Sequence, residues 1–128
     1  MNIKELTENM SVSAQIKHSD MADLAKLGFK TVINNRPDRE VPFQPRSKTL
    51  AARAKKAKIT YLYLPVISGG ITQKDVDDFA ALLAKSQGPV FAFCRTGTRS
   101  ANLWARANPD SLSSDDITNI GAQAGYVL

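Results

Sequence analysis

The only cysteine of this 128-residue chain opens the run Cys94-Arg95-Thr96-Gly97-Thr98-Arg99-Ser100. Pro89-Val90-Phe91-Ala92-Phe93 precedes it, an apolar run that predicts a buried strand, and a helical pattern follows from about Ser100 to Asn108. A cysteine between a strand and a helix N-terminus sits where backbone N–H groups and the helix dipole converge on negative charge. The N–H groups of Arg95, Thr96, Gly97 and Thr98 can then cradle an oxyanion, with Gly97 permitting the turn. Such surroundings favour the thiolate, the nucleophilic form. Arg99 supplies a planar fork that matches a tetrahedral oxyanion, and Ser100 is placed to donate a hydrogen bond to the sulfur. The chemistry expected is attack by the Cys94 thiolate on an anionic group held in the loop. An inert core cysteine is the competing reading, but a dry site does not hold Arg95 and Arg99 unpaired.

The elements that must position this loop follow from pattern. Val12 to Ile16 alternates and predicts a strand, and Ser19 is a candidate cap for a helix over Asp20 to Leu27 closed by Gly28. Thr31-Val32-Ile33 predicts a second strand. Asn34 to Pro45 contains Pro37, Pro42 and Pro45 and predicts a long loop, a class of segment that is often functional. Ser47 to Lys58 predicts a helix, and Ile59 to Val66 a buried strand. Ser68-Gly69-Gly70 is a break. Thr72 with Asp75 resembles a capping box, opening a helix to about Lys85 whose stripe includes Val76, Phe79 and Leu83. Ser114 is a candidate cap for a last helix to about Ala124. Strands alternating with helices predict one α/β domain over residues 1–128, with a mainly parallel sheet of four to five strands flanked by helices.

Composition narrows the partners. The net charge of +5, from 17 basic and 12 acidic residues, favours an anionic substrate. The densest basic group, Arg53, Lys55, Lys56 and Lys58, reads as a solvated helix face, which argues against nucleic acid. A lone cysteine excludes an internal disulfide and fits a reducing compartment. No leader pattern and no membrane-length apolar run is present, so a cytoplasmic location is expected. There is no metal-ligand cluster and no nucleotide phosphate-loop signature, and no cofactor is expected. His18 precedes a helix and is expected at the surface, while Trp104 is expected in the core.

The loop resembles two families. Cysteine-dependent tyrosine and dual-specificity phosphatases carry His-Cys, five residues, Arg, then Ser or Thr. Rhodanese-like sulfurtransferases often carry Cys-Arg-x-Gly-x-Arg-Ser or Thr. Four residues separate Cys94 from Arg99, and Phe93 stands where phosphatases have histidine, so by loop length the chain is similar to a rhodanese. The rest of the chain resembles something else. Val12-Ser13-Ala14-Gln15-Ile16, Val32-Ile33-Asn34-Asn35-Arg36-Pro37-Asp38, Tyr61-Leu62-Tyr63-Leu64-Pro65-Val66 and Cys94 to Ser100 occur in order. Together they resemble the small bacterial phosphatase-like domain found alone or fused to beta-lactamase-like hydrolases and sulfide-oxidising enzymes. That resemblance implies the dual-specificity phosphatase fold. Its fusions imply sulfur metabolism.

Phosphate hydrolysis at cysteine needs a general acid for the leaving oxygen. Dual-specificity phosphatases place an aspartate after the strand that is here Ile59 to Val66, where this chain has Ile67-Ser68-Gly69-Gly70. Asp75 reads as a first-turn helix residue, and Asp38 is a candidate substitute acid or a turn former. Arg36 is a candidate anion ligand, or else a surface ion-pair partner of Asp38 or Glu40. Sulfur transfer, with Cys94 carrying a persulfide from a sulfane donor to a thiol, needs no strong acid. Loop length and the missing acid therefore favour a sulfurtransferase acting on a small anionic or persulfide substrate, with a thiol-bearing or sulfide-oxidising protein as partner. A cysteine phosphatase is the alternative, and an oxyanion-binding module without turnover is the third.

Overall fold

The computed structural model describes all 128 residues. Its elements run β1 (Lys4–Thr7), β2 (Met10–Ser13), α1 (Asp20–Lys26), β3 (Thr31–Asn34), α2 (Ser47–Lys56), β4 (Thr60–Tyr63), α3 (Gln73–Lys85), β5 (Val90–Phe93), α4 (Thr98–Ala107) and α5 (Ser114–Ala124). The strands form one sheet in the order β1-β2-β5-β3-β4. β5 runs parallel to both neighbours, β4 parallel to β3, and β1 alone is antiparallel. This is the mainly parallel five-stranded α/β sheet expected from the sequence.

β5 is apolar throughout because both its faces are covered. Val90 and Ala92 point to one side, into a cluster with Phe79 of α3 and Ala101, Leu103 and Trp104 of α4. Phe91 and Phe93 point to the other, against Met21 and Leu24 of α1 and Leu50 and Ala54 of α2. Phe29 meets the Phe91 ring edge-on at 5.3 Å. Trp104 lies in the core as expected.

Three sequence expectations need correction. β4 is an edge strand with two of its four residues exposed, not a buried one, because nothing pairs beyond it. Ser19 makes no side-chain cap at α1; the Asp20 carboxylate takes the Lys17 N–H instead. At α5 the cap is Ser113, whose hydroxyl accepts from Asp116 N. The Thr72–Asp75 capping box at α3 is present in both directions. A fourth correction is His18, expected at the surface: it is half-buried, with Nε2 enclosed and unpartnered, because it packs at the start of α1. Arg53, Lys55, Lys56 and Lys58 are exposed.

In a sheet wound this way, ligands bind beyond the carboxyl ends of the strands, where connections leave to opposite faces. β5 occupies that position and ends at Cys94. No helix is long and apolar enough to cross a membrane.

Candidate active site

The loop after β5 is stitched to both neighbouring strand ends. Cys94 N donates to Ser13 O at 3.4 Å and Gln15 N donates to Arg95 O at 3.2 Å, while Asn35 N donates to Phe93 O at 2.9 Å. The Cys94 sulfur lies fully buried beneath the loop and accepts the Gly97 N–H at 3.1 Å. Gly97 caps α4 at φ +91°. A methyl there would collide with the Tyr126 hydroxyl and press on the Ser13 backbone. Gly97→Ala is therefore expected to distort the loop, lowering kcat by about 10²-fold through misplacement of the reacting groups. Steady-state kinetics beside a thermal melt test this, since loss confined to activity marks a local effect.

Arg99 is buried in the first turn of α4. Its Nη1 donates to Glu40 Oε2 at 2.7 Å and to Val66 O at 3.0 Å, and its Nη2 donates to Glu40 Oε1 at 2.9 Å. Guanidinium has five N–H donors. This end-on pairing uses three and leaves Nε–H and one Nη2–H, a side-on fork suited to two oxygens of an anion. The Glu40 hydrogen bond does most to raise the Arg99 pKa; burial opposes it, and the nearby Cys94 charge adds to the rise.

Glu40 was legible in the sequence only as a surface partner for Arg36. In the fold it joins two arginines, since Arg36 Nε also donates to Glu40 Oε1 at 2.8 Å. The Arg99 hydrogen bond is the largest cause holding the Glu40 carboxyl below its ordinary 4.5; burial opposes it and Arg36 reinforces it. A depressed carboxylate contributes stability that is present above the unfolded pKa and lost as pH falls through the folded one. Glu40→Gln is expected to cost about 1–2 kcal/mol near pH 7. That difference should shrink as the pH is lowered below 4.5. Urea unfolding of both proteins across the pH range measures it.

The other sequence-named residues divide. Arg95, Thr96, Thr98 and Arg99 line one open groove of about 630 Å³. Arg95, Thr96 and Thr98 are exposed there, and Thr96 donates its hydroxyl to Thr98 Oγ1 at 3.0 Å. Ser100 does not reach the sulfur as expected. Its buried hydroxyl donates to Asn35 Oδ1 at 2.8 Å, because the first helical turn aims it at the β3 end. Asn35 in turn donates to Leu64 O, tying the loop to β4. Arg36 is no groove ligand and no surface residue: it is 4% exposed, with Nη1 donating to Gln15 Oε1 at 3.1 Å. It holds Glu40. Asp38 stands outside the groove, its Oδ1 accepting Ser47 N at 2.8 Å at the start of α2. That bond ties Asp38 to the start of α2 rather than to the groove.

Tyr126 is a site neighbour that sequence reasoning missed. Its hydroxyl donates to Thr96 O at 3.3 Å, and burial followed by the Cys94 charge raises its pKa. Its position in the last residues of the chain gave no local signal.

The fold and the cysteine loop at the head of β5 define a cysteine-phosphatase-like α/β domain. Residues 2–111 match the phosphatase-like domain of beta-lactamase hydrolase-like proteins, and the chain belongs to that family. A beta-lactamase hydrolase-like protein of Xylella fastidiosa is 31% identical over 130 aligned positions, which take in 100% of this chain and 30% of that protein. The chain thus spans about a third of the length of the curated relatives it matches. A candidate phosphatase of Neisseria meningitidis superposes with a TM-score of 0.87 at 36% identity, covering 100% of this chain and 92% of that one. TpbA of P. aeruginosa, solved with phosphotyrosine, shares the fold at TM-score 0.70 and 19% identity, covering 93% and 70%. The matched family and the Neisseria protein carry phosphatase descriptions.

Proposed function

We propose that this domain is a cysteine-dependent phosphatase acting on phosphoric monoesters. The single observation that carries this reading is the Arg99 guanidinium, fixed end-on by Glu40 and Val66 O in the turn after Cys94, with Nε–H and one Nη2–H left over for an anion. In the proposed reaction the phosphoryl oxygens lie on the loop N–H groups and the Arg99 fork. The Cys94 sulfur attacks phosphorus, the P–O bond breaks, and its electron pair leaves on the ester oxygen. Water then attacks phosphorus, the P–S bond breaks, and the thiolate and orthophosphate are released. The helix N-terminus and Arg99 stabilise the charge developing on the transferred group.

Release of 4-nitrophenolate from 4-nitrophenyl phosphate tests the reading. Turnover dependent on both Cys94 and Arg99 supports it; no turnover above an Arg99→Ala control sinks it.

One observation favours sulfur transfer as a second reading: four residues rather than five separate Cys94 from Arg99, and no carboxylate stands in Ile67-Ser68-Gly69-Gly70. A persulfide on Cys94 would be made from a sulfane sulfur donor, with sulfite or a thiolate leaving, and passed to a thiol acceptor. Incubation with thiosulfate should then add one sulfur to Cys94.

A further inference from the structure

The groove over the Arg95–Arg99 side of the loop is longer and more basic than one phosphoryl group requires. Arg99, Asn102 and Arg106 all line it. Spaced three, then four residues apart on α4, they form one face of that helix. At 1.5 Å rise per residue, Arg106 stands about 10 Å further along the axis than Arg99. Arg95 lines the groove as well. Arg106 and Arg95 are exposed, and neither makes a salt bridge or a side-chain hydrogen bond within the chain. No carboxylate lines the groove, and Ile71 is its only apolar wall. Glu40 compensates Arg99, but Arg95 and Arg106 add two uncompensated positive charges to the same hollow, which an anion between them would offset. A wall with one apolar residue leaves charge and hydrogen bonding, not apolar contact, to set what the groove prefers.

We infer that the groove is a two-anion site: one phosphoryl group at the Cys94 loop and a second anionic group, phosphate or carboxylate, about 10 Å away near Arg106, on a small polar scaffold. The inference takes the scissile end from the phosphatase reading; the second anion rests on Arg106, Arg95 and the groove itself. Arg106 is here a specificity residue that touches substrate away from the reacting atoms.

Competition against 4-nitrophenyl phosphate hydrolysis tests this with three ligands. Hexane-1,6-diol bisphosphate spans the two positions, ethane-1,2-diol bisphosphate has the same charge but cannot span them, and hexyl monophosphate has one anion. The spanning bisphosphate is expected to inhibit at least about tenfold more tightly than the other two, from one or two added charge-assisted hydrogen bonds. In Arg106→Gln that advantage should fall close to unity. Equal inhibition by both bisphosphates means net charge alone and overturns the site, as does an advantage that survives Arg106→Gln. If the protein hydrolyses no aryl phosphate, titration calorimetry with the same ligands reads the same ratio. A preserved preference then keeps the two-anion groove while the phosphatase reading fails. Equal binding of all three ligands by an active enzyme removes the groove inference and leaves the phosphatase standing.

Discussion

Cys94→Ser is expected to lower turnover of aryl phosphates by about 10⁵-fold or more, the scale seen when a covalent nucleophile is removed. The exchange is nearly isosteric, and serine keeps an acceptor for the Gly97 N–H that now meets the sulfur at 3.1 Å. Fold and anion binding should therefore persist: the melting temperature should move by only a few degrees, and sulfate should still bind. The two readouts separate chemistry from structure. Loss of activity together with collapse of the fold would leave a buried core cysteine as the better description. Loss of activity with sulfate binding intact is the outcome expected of a nucleophile.

The second large effect concerns the leaving group. A positioned general acid is worth about 10²–10⁴-fold in phosphate ester cleavage. The carboxylates considered for this role are already committed. Glu40 is held ionised between Arg99 and Arg36. Asp38 accepts the Ser47 N–H. Asp75 closes the capping box with Thr72. The groove walls after β4 are Ser68, Gly69 and Ile71. The ester oxygen must then depart as an anion, so kcat should fall steeply as the leaving-group pKa rises across a series of substituted phenyl phosphates. Alkyl phosphates should be slower than activated aryl esters by several orders of magnitude. Asp38→Asn should leave kcat within about threefold, far from the loss expected of a general acid. A shallow dependence on leaving group that becomes steep in Asp38→Asn would assign the acid to Asp38 after all.

Most of the fold was legible because its elements are signalled locally. The apolar run of β5, the Ala- and Lys-rich stretch of α2 and the Thr72–Asp75 pair each carry their own pattern. β1 carries none: only Leu6 of its four residues is buried, and its place depends on pairing with β2. The edge position of β4 was also hidden, since Thr60-Tyr61-Leu62-Tyr63 has a strand composition whichever side it faces. Its tyrosines serve the site at a distance. The Tyr61 hydroxyl takes a hydrogen bond from Asn34 Nδ2 and meets Ser47 Oγ, and the Tyr63 hydroxyl accepts Asp38 N. These contacts order the long loop that delivers Glu40.

The site was half legible for the same reason. Cys94, Gly97 and Arg99 are contiguous, so loop geometry follows from their spacing. What orients them comes from afar in the sequence: Glu40 is 59 residues from Arg99, Asn35 is 65 from Ser100, and Tyr126 is 30 from Thr96. Spacing rules have no purchase at those separations. Ser100, Asp38 and Arg36 were each named for plausible local chemistry, and each is claimed by a tertiary partner instead.

The most direct test is intact-mass analysis after rapid acid quench, with the wild-type protein exposed in parallel to 4-nitrophenyl phosphate and to thiosulfate. The account predicts a transient gain of one PO₃ group, located on Cys94 by fragmentation and absent in Cys94→Ser. A stable gain of a single sulfur on Cys94 from thiosulfate, with no phosphoryl adduct under any quench time, would contradict the phosphatase reading and make sulfur transfer the function of this loop.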